Sequence, residues 1–422
     1  MSLAKLVLVI SLLNGTLIQA YKDYKDYKIY DIKAENAEQL EMLKKIVKLR
    51  KNFDFLNLAK HPSKPTKVLI PHYREQELRN ILDKYELNYT LLVEDVSEII
   101  VKERLYNSRE SPAIYPLNVF EAYYRHEEIN ENMEYLAKLY PSRVFVKTFG
   151  RTYEQRPLKI ITITNGDGVP NKKIIFIDAA MHAREWITPS MALYIMNELI
   201  LNFESYKHLL QDFDWIIMPL VNADGYEYTH EEDRYWRKTR KPNNFAQDCY
   251  GTDPNRNFGF QWGSDEGASA DPCDETYYGD KPFSEPETQV VRDIMITYAH
   301  RIKWYLSLHS YGNYILLPYG HTKDLPDNYF DMMDVADAGA LAIILATNSI
   351  YTYGNTYSVM YPTSGDSADY ATGYLHIPIA MAMELPAGGF SGFDPPVRQI
   401  EDIVVETWVG IKAMAEVVVQ KY

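Results

Sequence analysis

Five apolar runs, at 158–164, 174–180, 215–221, 304–308 and 377–383, recur along the last three quarters of the chain with helical patterns between them. Runs of this length with hardly a polar break suit strands buried on both faces, and the intervening helices are what would cover those faces. The expectation is a three-layer α/β/α unit around a mostly parallel mixed sheet. Helical stretches are expected at 189–201, with Thr188 as cap and Pro189 in the first turn, and from 395 towards 421.

The front of the chain has a different rhythm. A strand-like run at 27–32 precedes a helical face of Leu40, Leu43 and Val47, then come runs at 53–58 and 67–70. Leu78, Ile81, Leu82 and Tyr85 follow at helical spacing, and 89–93 closes with a strand. This β-α-β-β-α-β order predicts a small ferredoxin-like α+β unit. The tandem Tyr-Lys-Asp at 21–26 reads as the solvated start of its first strand.

Between the two units, 103–112 is polar and carries Arg104 and Arg109, so it reads as an exposed linker open to a trypsin-like protease. The first twenty residues hold Lys5, an apolar run at 6–13 and Ala20, the pattern of a secretory signal too short to span a bilayer. The expected division is therefore signal 1–20, front unit 21–109 and rear unit 110–422, in a secreted, extracellular protein without a membrane segment. An oxidising compartment favours pairing of the two cysteines, Cys249 with Cys273, worth roughly 3 kcal/mol in the chain-entropy account. Asn88-Tyr89-Thr90 is a glycosylation sequon. A net charge of −14 argues against a nucleic-acid partner, which would call for clustered Lys and Arg.

His182 and Glu185 form H-x-x-E directly after the run at 174–180. The same pattern occurs at His72 and Glu75, so position has to separate them. In open α/β sheets the ligand crevice lies beyond the carboxyl ends of the strands, where His182, His309 and Glu384 all fall. Two imidazoles and a carboxylate would make a nitrogen and oxygen set with one position left for water, which suits catalytic zinc better than calcium. On residues alone His309 reads more readily as a satisfied, partly buried histidine than as a ligand. Glu384 at the end of its run could serve as a proton acceptor or simply leave the sheet for solvent. Arg237, Asn255 and Arg256 lie on loops, where basic residues usually face water, though guanidinium forks bind carboxylates and stabilise oxyanions. Lys238, Arg240 and Lys241 are expected at the surface.

Taken together, His182-Ala183-Arg184-Glu185-Trp186, Asp253-Pro254-Asn255-Arg256-Asn257, His309-Ser310-Tyr311 and Glu384 resemble the zinc metallocarboxypeptidases of the carboxypeptidase A and B group. The resemblance implies one zinc ion on His182, Glu185 and His309, with Glu384 as general base. It implies Arg237 as the group that polarises the scissile carbonyl, Asn255 and Arg256 as holders of the substrate carboxylate, and Tyr361 as the tyrosine that closes over it. Arg184 and Tyr311 would line neighbouring subsites. The front unit would then be an activation domain removed by a trypsin-like protease, and the partners would be peptide and protein C-termini.

Specificity in that group is set at the pocket base, where Asp selects Lys or Arg. Ala368 occupies this place, and Gly320 and Ala382 are also small, which implies apolar or aromatic C-terminal residues and a digestive role. Asp366, two residues before Ala368, could instead attract a cation. Pro386-Ala387 after Glu384 departs from the Arg-Asp pair commoner there. A metalloendopeptidase would need H-E-x-x-H, which neither His126-Glu127 nor His230-Glu231 completes, and Gly389-Phe390-Ser391-Gly392 is not G-x-S-x-G. An inactive peptide-carboxylate receptor on the same fold would have no use for Glu384.

Overall fold

Buried on both faces, the strands Lys173–Ala179 (β7) and Ile302–Ser310 (β9) leave only Lys173 and Lys303 short of full burial, which is why they read as unbroken apolar runs. The computed structural model of the chain describes residues 22–49, 53–59, 61–62, 64–107, 113–244, 246, 248–264 and 266–422. The signal reading at 1–20 and Arg109 lie outside them.

The front unit comprises β1 (Tyr27–Lys33), α1 (Ala37–Leu49), β2 (Asp54–Phe55), β3 (Thr66–Pro71), α2 (Glu75–Lys84), β4 (Asn88–Val93) and α3 (Val96–Asn107). Its sheet runs β2-β3-β1-β4 with every pairing antiparallel, the ferredoxin-like order expected. On α1 the inward residues are Leu40, Leu43 and Ile46, so Ile46 takes the place expected for Val47.

Two readings of the flanks are corrected. The segment from 103 is not a linker as far as Asn107, because α3 continues through it and buries Glu103. A buried charge needs a partner, and Glu103 finds Arg234 of the rear unit at 2.6 and 2.9 Å. Nor is the Tyr-Lys-Asp tandem wholly solvated: Tyr24 is buried against Tyr235, and its hydroxyl donates to Asp233 at 2.5 Å. Tyr24, Ile29, Leu56, Leu69, Val93 and Val96 join Tyr235 and Phe393 in one apolar cluster between the units.

In the rear unit the sheet order is β11-β10-β12-β9-β7-β8-β6-β5. Its members are β5 (Val144–Arg151), β6 (Pro157–Ile163), β7, β8 (Phe213–Met218), β9, β10 (Tyr314–Leu317), β11 (Thr352–Asn355) and β12 (Ile379–Leu385). The central strands β8, β7, β9 and β12 are parallel to one another, while β6 and β5 on one flank and β10 on the other run antiparallel to their inner neighbours. Around the sheet pack α4 (His126–Leu139), α5 (Ile187–Leu201), α6 (Ala223–Glu231), α7 (Pro286–Tyr298), α8 (Tyr329–Thr347), α9 (Ser367–Gly373) and α10 (Ile400–Lys421). Thr188 is not the cap of α5. It sits inside the first turn, its hydroxyl donating to the Glu185 carbonyl, and Trp186 holds the cap position. Among the described residues no helix is long and apolar enough to cross a membrane.

Candidate active site

The carboxyl ends of β7, β9 and β12 place the central groups. His182 and Glu185 lie in the turn between β7 and α5, His309 is the penultimate residue of β9, and Glu384 is the penultimate residue of β12. Parallel pairing sets Glu384 directly opposite His309. Side chains at opposed positions of a sheet share a face.

One ligand atom from each of His182, Glu185 and His309 falls within 4.8 Å of the others, and all three residues are buried. Nδ1 of His182 is 2.8 Å from Glu185 Oε1 and 3.1 Å from His309 Nδ1, which is itself 3.3 Å from Glu185 Oε2. Two imidazole nitrogens and a carboxylate converging in a buried space fit a zinc ion. His72 and Glu75, the other H-x-x-E, instead lie on the front unit with the imidazole exposed. Burial works against a charged Glu185, yet the neighbouring imidazoles hold its carboxyl far below the ordinary range.

Around this cluster the cations are aimed by hydrogen bonds. Arg237 Nη2 donates to Asp253 Oδ2 at 2.8 Å, and the other oxygen of Asp253 lies 3.1 Å from His182 Nε2. Arg256, 2% exposed, donates to the carbonyls of Gly267 at 2.6 Å and Asn255 at 2.7 Å. The Asn255 side chain accepts from the Ser367 amide at 3.0 Å, which ties this loop to α9. Burial raises the Tyr361 hydroxyl, with the charges of Arg256 and Arg237 opposing it. Glu384 is buried with Oε2 lacking a hydrogen-bond partner, and burial followed by the charge of Glu185 pushes its carboxyl up to about 7. A carboxyl there can accept and return a proton near neutral pH.

The rim carries both units. Arg184 stacks over Phe393 at 4.6 Å, with Glu275 at 3.6 Å and Asp54 of the front unit at 3.7 Å. Tyr311 is turned aside, its hydroxyl donating to Ser391 O at 2.9 Å and its ring 4.9 Å from Phe393. Ala368 is buried in α9. Asp366 caps that helix, accepting from the Asp369 amide at 2.8 Å and the Thr363 hydroxyl at 2.6 Å. Gly320 lies so close that a Cβ on it would meet Thr363 Oγ1 at 1.9 Å. Cys249 and Cys273 are joined, with Cα atoms 5.0 Å apart. Lys238 is not at the surface as expected: it is buried, and Nζ donates to Pro272 O at 2.7 Å.

The sequence profile of the zinc carboxypeptidases matches residues 129–410, and that of the carboxypeptidase activation peptide matches 30–103. The chain belongs to the zinc carboxypeptidase family. It is 40% identical to carboxypeptidase B of Astacus astacus over 301 residues, 71% of this chain and 98% of that protein. It is 36% identical to zinc carboxypeptidase A 1 of Drosophila melanogaster over 357 residues, 82% of this chain and 81% of that protein. The solved structure of carboxypeptidase A from Helicoverpa armigera superposes with a TM-score of 0.87 at 31% identity, covering 95% of this chain and 99% of that one. This zinc carboxypeptidase thus carries its activation unit in the same chain, as a zymogen does.

Three side chains near the zinc carboxypeptidase site escaped the sequence reading. Asp253 stood inside a recognised motif without a role of its own. Asp178 was counted into an apolar run, and Ser307 into another. A charge inside an otherwise apolar strand was the signal available for Asp178.

Proposed function

We propose that this chain is a secreted zymogen, divided at 1–20, 21–109 and 110–422, whose rear unit removes single residues from peptide and protein C-termini. The supporting observation is the buried Glu384 carboxyl, with one oxygen unpartnered, set opposite His309 beside the His182, Glu185 and His309 cluster. These three residues would hold the zinc. When bound, zinc acts as a Lewis acid and makes water acidic enough to deprotonate near neutral pH.

The chain's own groups supply the rest. Glu384 takes the proton from the attacking water and returns it to the leaving amine. Arg237, fixed by Asp253, donates to the carbonyl oxygen as it gains charge. Arg256 and Asn255 hold the terminal carboxylate, which restricts cleavage to the last peptide bond. Tyr361 closes over the bound end, and Arg184 and Tyr311 contact residues further up the peptide.

Ala368, Gly320 and Ala382 favour an apolar or aromatic final side chain, which suits a digestive enzyme. Both oxygens of Asp366 are engaged, in the α9 cap and with Thr363, which is the argument against a cation-binding pocket. For activation, a trypsin-like protease needs an extended, accessible segment, and Arg104 lies within the helix α3. Arg109 is therefore the proposed cut.

Trypsin treatment followed by a panel of peptides differing only in their last residue tests these assignments. Release of Phe or Leu ahead of Lys or Arg is expected from the trimmed enzyme, with little release before trimming. Faster release of Lys or Arg would overturn the pocket reading. Equal activity on C-terminally amidated peptides would overturn the exopeptidase reading.

A further inference from the structure

Asp178 is fully buried near the end of β7, in Lys-Ile-Ile-Phe-Ile-Asp-Ala. An ionisable group at such a place destabilises the fold unless its oxygens are satisfied. Parallel pairing sets Asp178 opposite Ser307 of β9. Tyr305, Ser307 and His309 alternate along β9 and so project from the same face. The Ser307 hydroxyl donates to Asp178 Oδ1 at 2.7 Å, and the Tyr305 hydroxyl donates to Oδ2 at 2.6 Å. Ser307 Oγ also lies 3.1 Å from His309 Nε2.

The direction of each hydrogen bond follows from the ring. Nδ1 of His309 faces His182 and Glu185, at 3.1 and 3.3 Å. For Nδ1 to offer its lone pair to a cation, Nε2 must carry the ring proton and find an acceptor. The amide nitrogen of Asn255, 3.4 Å from Nε2, is itself a donor and cannot fill that need. Ser307 Oγ can accept, because its own proton is already given to Asp178.

We propose that Asp178, acting through the Ser307 hydroxyl, is a positioning residue that holds His309 in the tautomer and orientation whose Nδ1 binds zinc. His182 receives the same service directly, from Asp253 at 3.1 Å. The two histidines are thereby oriented by carboxylates on different elements, one in contact and one through a hydroxyl on the ligand's own strand. This rests on the assignment of His309 as a ligand.

The test is zinc affinity of the full-length protein, stripped of metal and titrated against a chromogenic chelator, with the visible spectrum of the cobalt-loaded form as a second readout. Ser307→Ala and Asp178→Asn should each weaken zinc binding by about ten- to a hundredfold, the range for partners that orient a metal ligand, and should shift the cobalt bands. Tyr305→Phe removes a contact to Asp178 but leaves the path to His309 whole, so zinc affinity in that variant should stay within about threefold of the unaltered protein. Unchanged affinity and spectrum in Ser307→Ala would overturn the proposal, as would a Tyr305→Phe loss as large as that of Ser307→Ala. Should Asp178→Asn fail to fold, the two β9 variants decide. His309→Ala separates the two levels: unchanged zinc affinity there would defeat the ligand assignment itself, whereas a large loss there with none in Ser307→Ala defeats only the relay.

Discussion

Glu384 and His309 stand opposite one another on the parallel strands β12 and β9, so a carboxyl and an imidazole leave the sheet side by side at its carboxyl edge. Burial and the nearby Glu185 push the Glu384 carboxyl up to about 7, where a proton can be taken and given back within one cycle. Replacing Glu384 with Gln keeps the shape and removes the proposed base. Turnover should fall by about two to four orders of magnitude, the usual contribution of a positioned acid or base. Zinc stoichiometry, measured in the same preparation, should be unchanged. Turnover at the unaltered rate would remove Glu384 from the reaction.

Arg256 is held in place by two backbone carbonyls, at 2.6 and 2.7 Å, which leaves its charge uncompensated by a carboxylate among those contacts. The free end of a peptide is the counter-ion proposed for it. Charge-assisted hydrogen bonds of this kind contribute about 1.5–3 kcal/mol, so Arg256→Ala should lower kcat/KM on free-acid peptides roughly ten- to a hundredfold. On amidated peptides the substitution should change little. An equal loss on both would mean that Arg256 supports the loop rather than the substrate.

Glu103 and Arg234 make a buried ion pair that ties α3 of the activation unit to the catalytic unit. Arg234 also stacks on Trp186 at 3.7 Å and donates to the carbonyls of Arg184 and Phe393. Removing one partner of a buried pair leaves a desolvated charge and costs about 3–5 kcal/mol. Glu103→Ala should therefore loosen the docked activation unit. Peptide hydrolysis by the uncut chain and amide exchange along α3 should both rise. A variant as silent and as protected as the unaltered zymogen would show that the apolar cluster around Tyr24 and Phe393 suffices.

Much of this arrangement was legible because it is local. The apolar runs that became β7, β9 and β12 specify a covered parallel sheet, and the site residues sit where such runs end. Contacts between the two units were not legible. Glu103 looks like part of a polar linker, and only the fold brings it to Arg234, 131 positions away. Tyr24 looks solvated for the same reason, its partner Asp233 being 209 positions on. Lys238 is buried by a loop that returns through Pro272. Polar residues within apolar strands were missed differently: periodicity weighs the run and discounts the exception, so Asp178 and Ser307 vanished into their neighbours. Ile46 displaced Val47 because the two positions fall on either side of Leu43 around the helix, so the apolar pattern alone does not choose between them.

Glu287 makes stability depend on pH. It lies fully buried in the first turn of α7, and burial, followed by the charge of Glu285, pushes its carboxyl up to about 8. In the unfolded chain a Glu titrates near 4.3. Between those values the folded protein holds a proton that the unfolded chain has released, so stability is greatest below the unfolded value and declines as pH rises, until the folded group ionises near 8. The loss across that window is on the order of a few kcal/mol. Glu287→Gln keeps the group neutral at every pH and should remove this part of the slope. Melting of the trimmed enzyme at pH 5 and pH 9 measures it: the unaltered protein should lose several degrees more than Glu287→Gln over that interval. Parallel melting of the two at both values would show that Glu287 ionises in the folded state without cost.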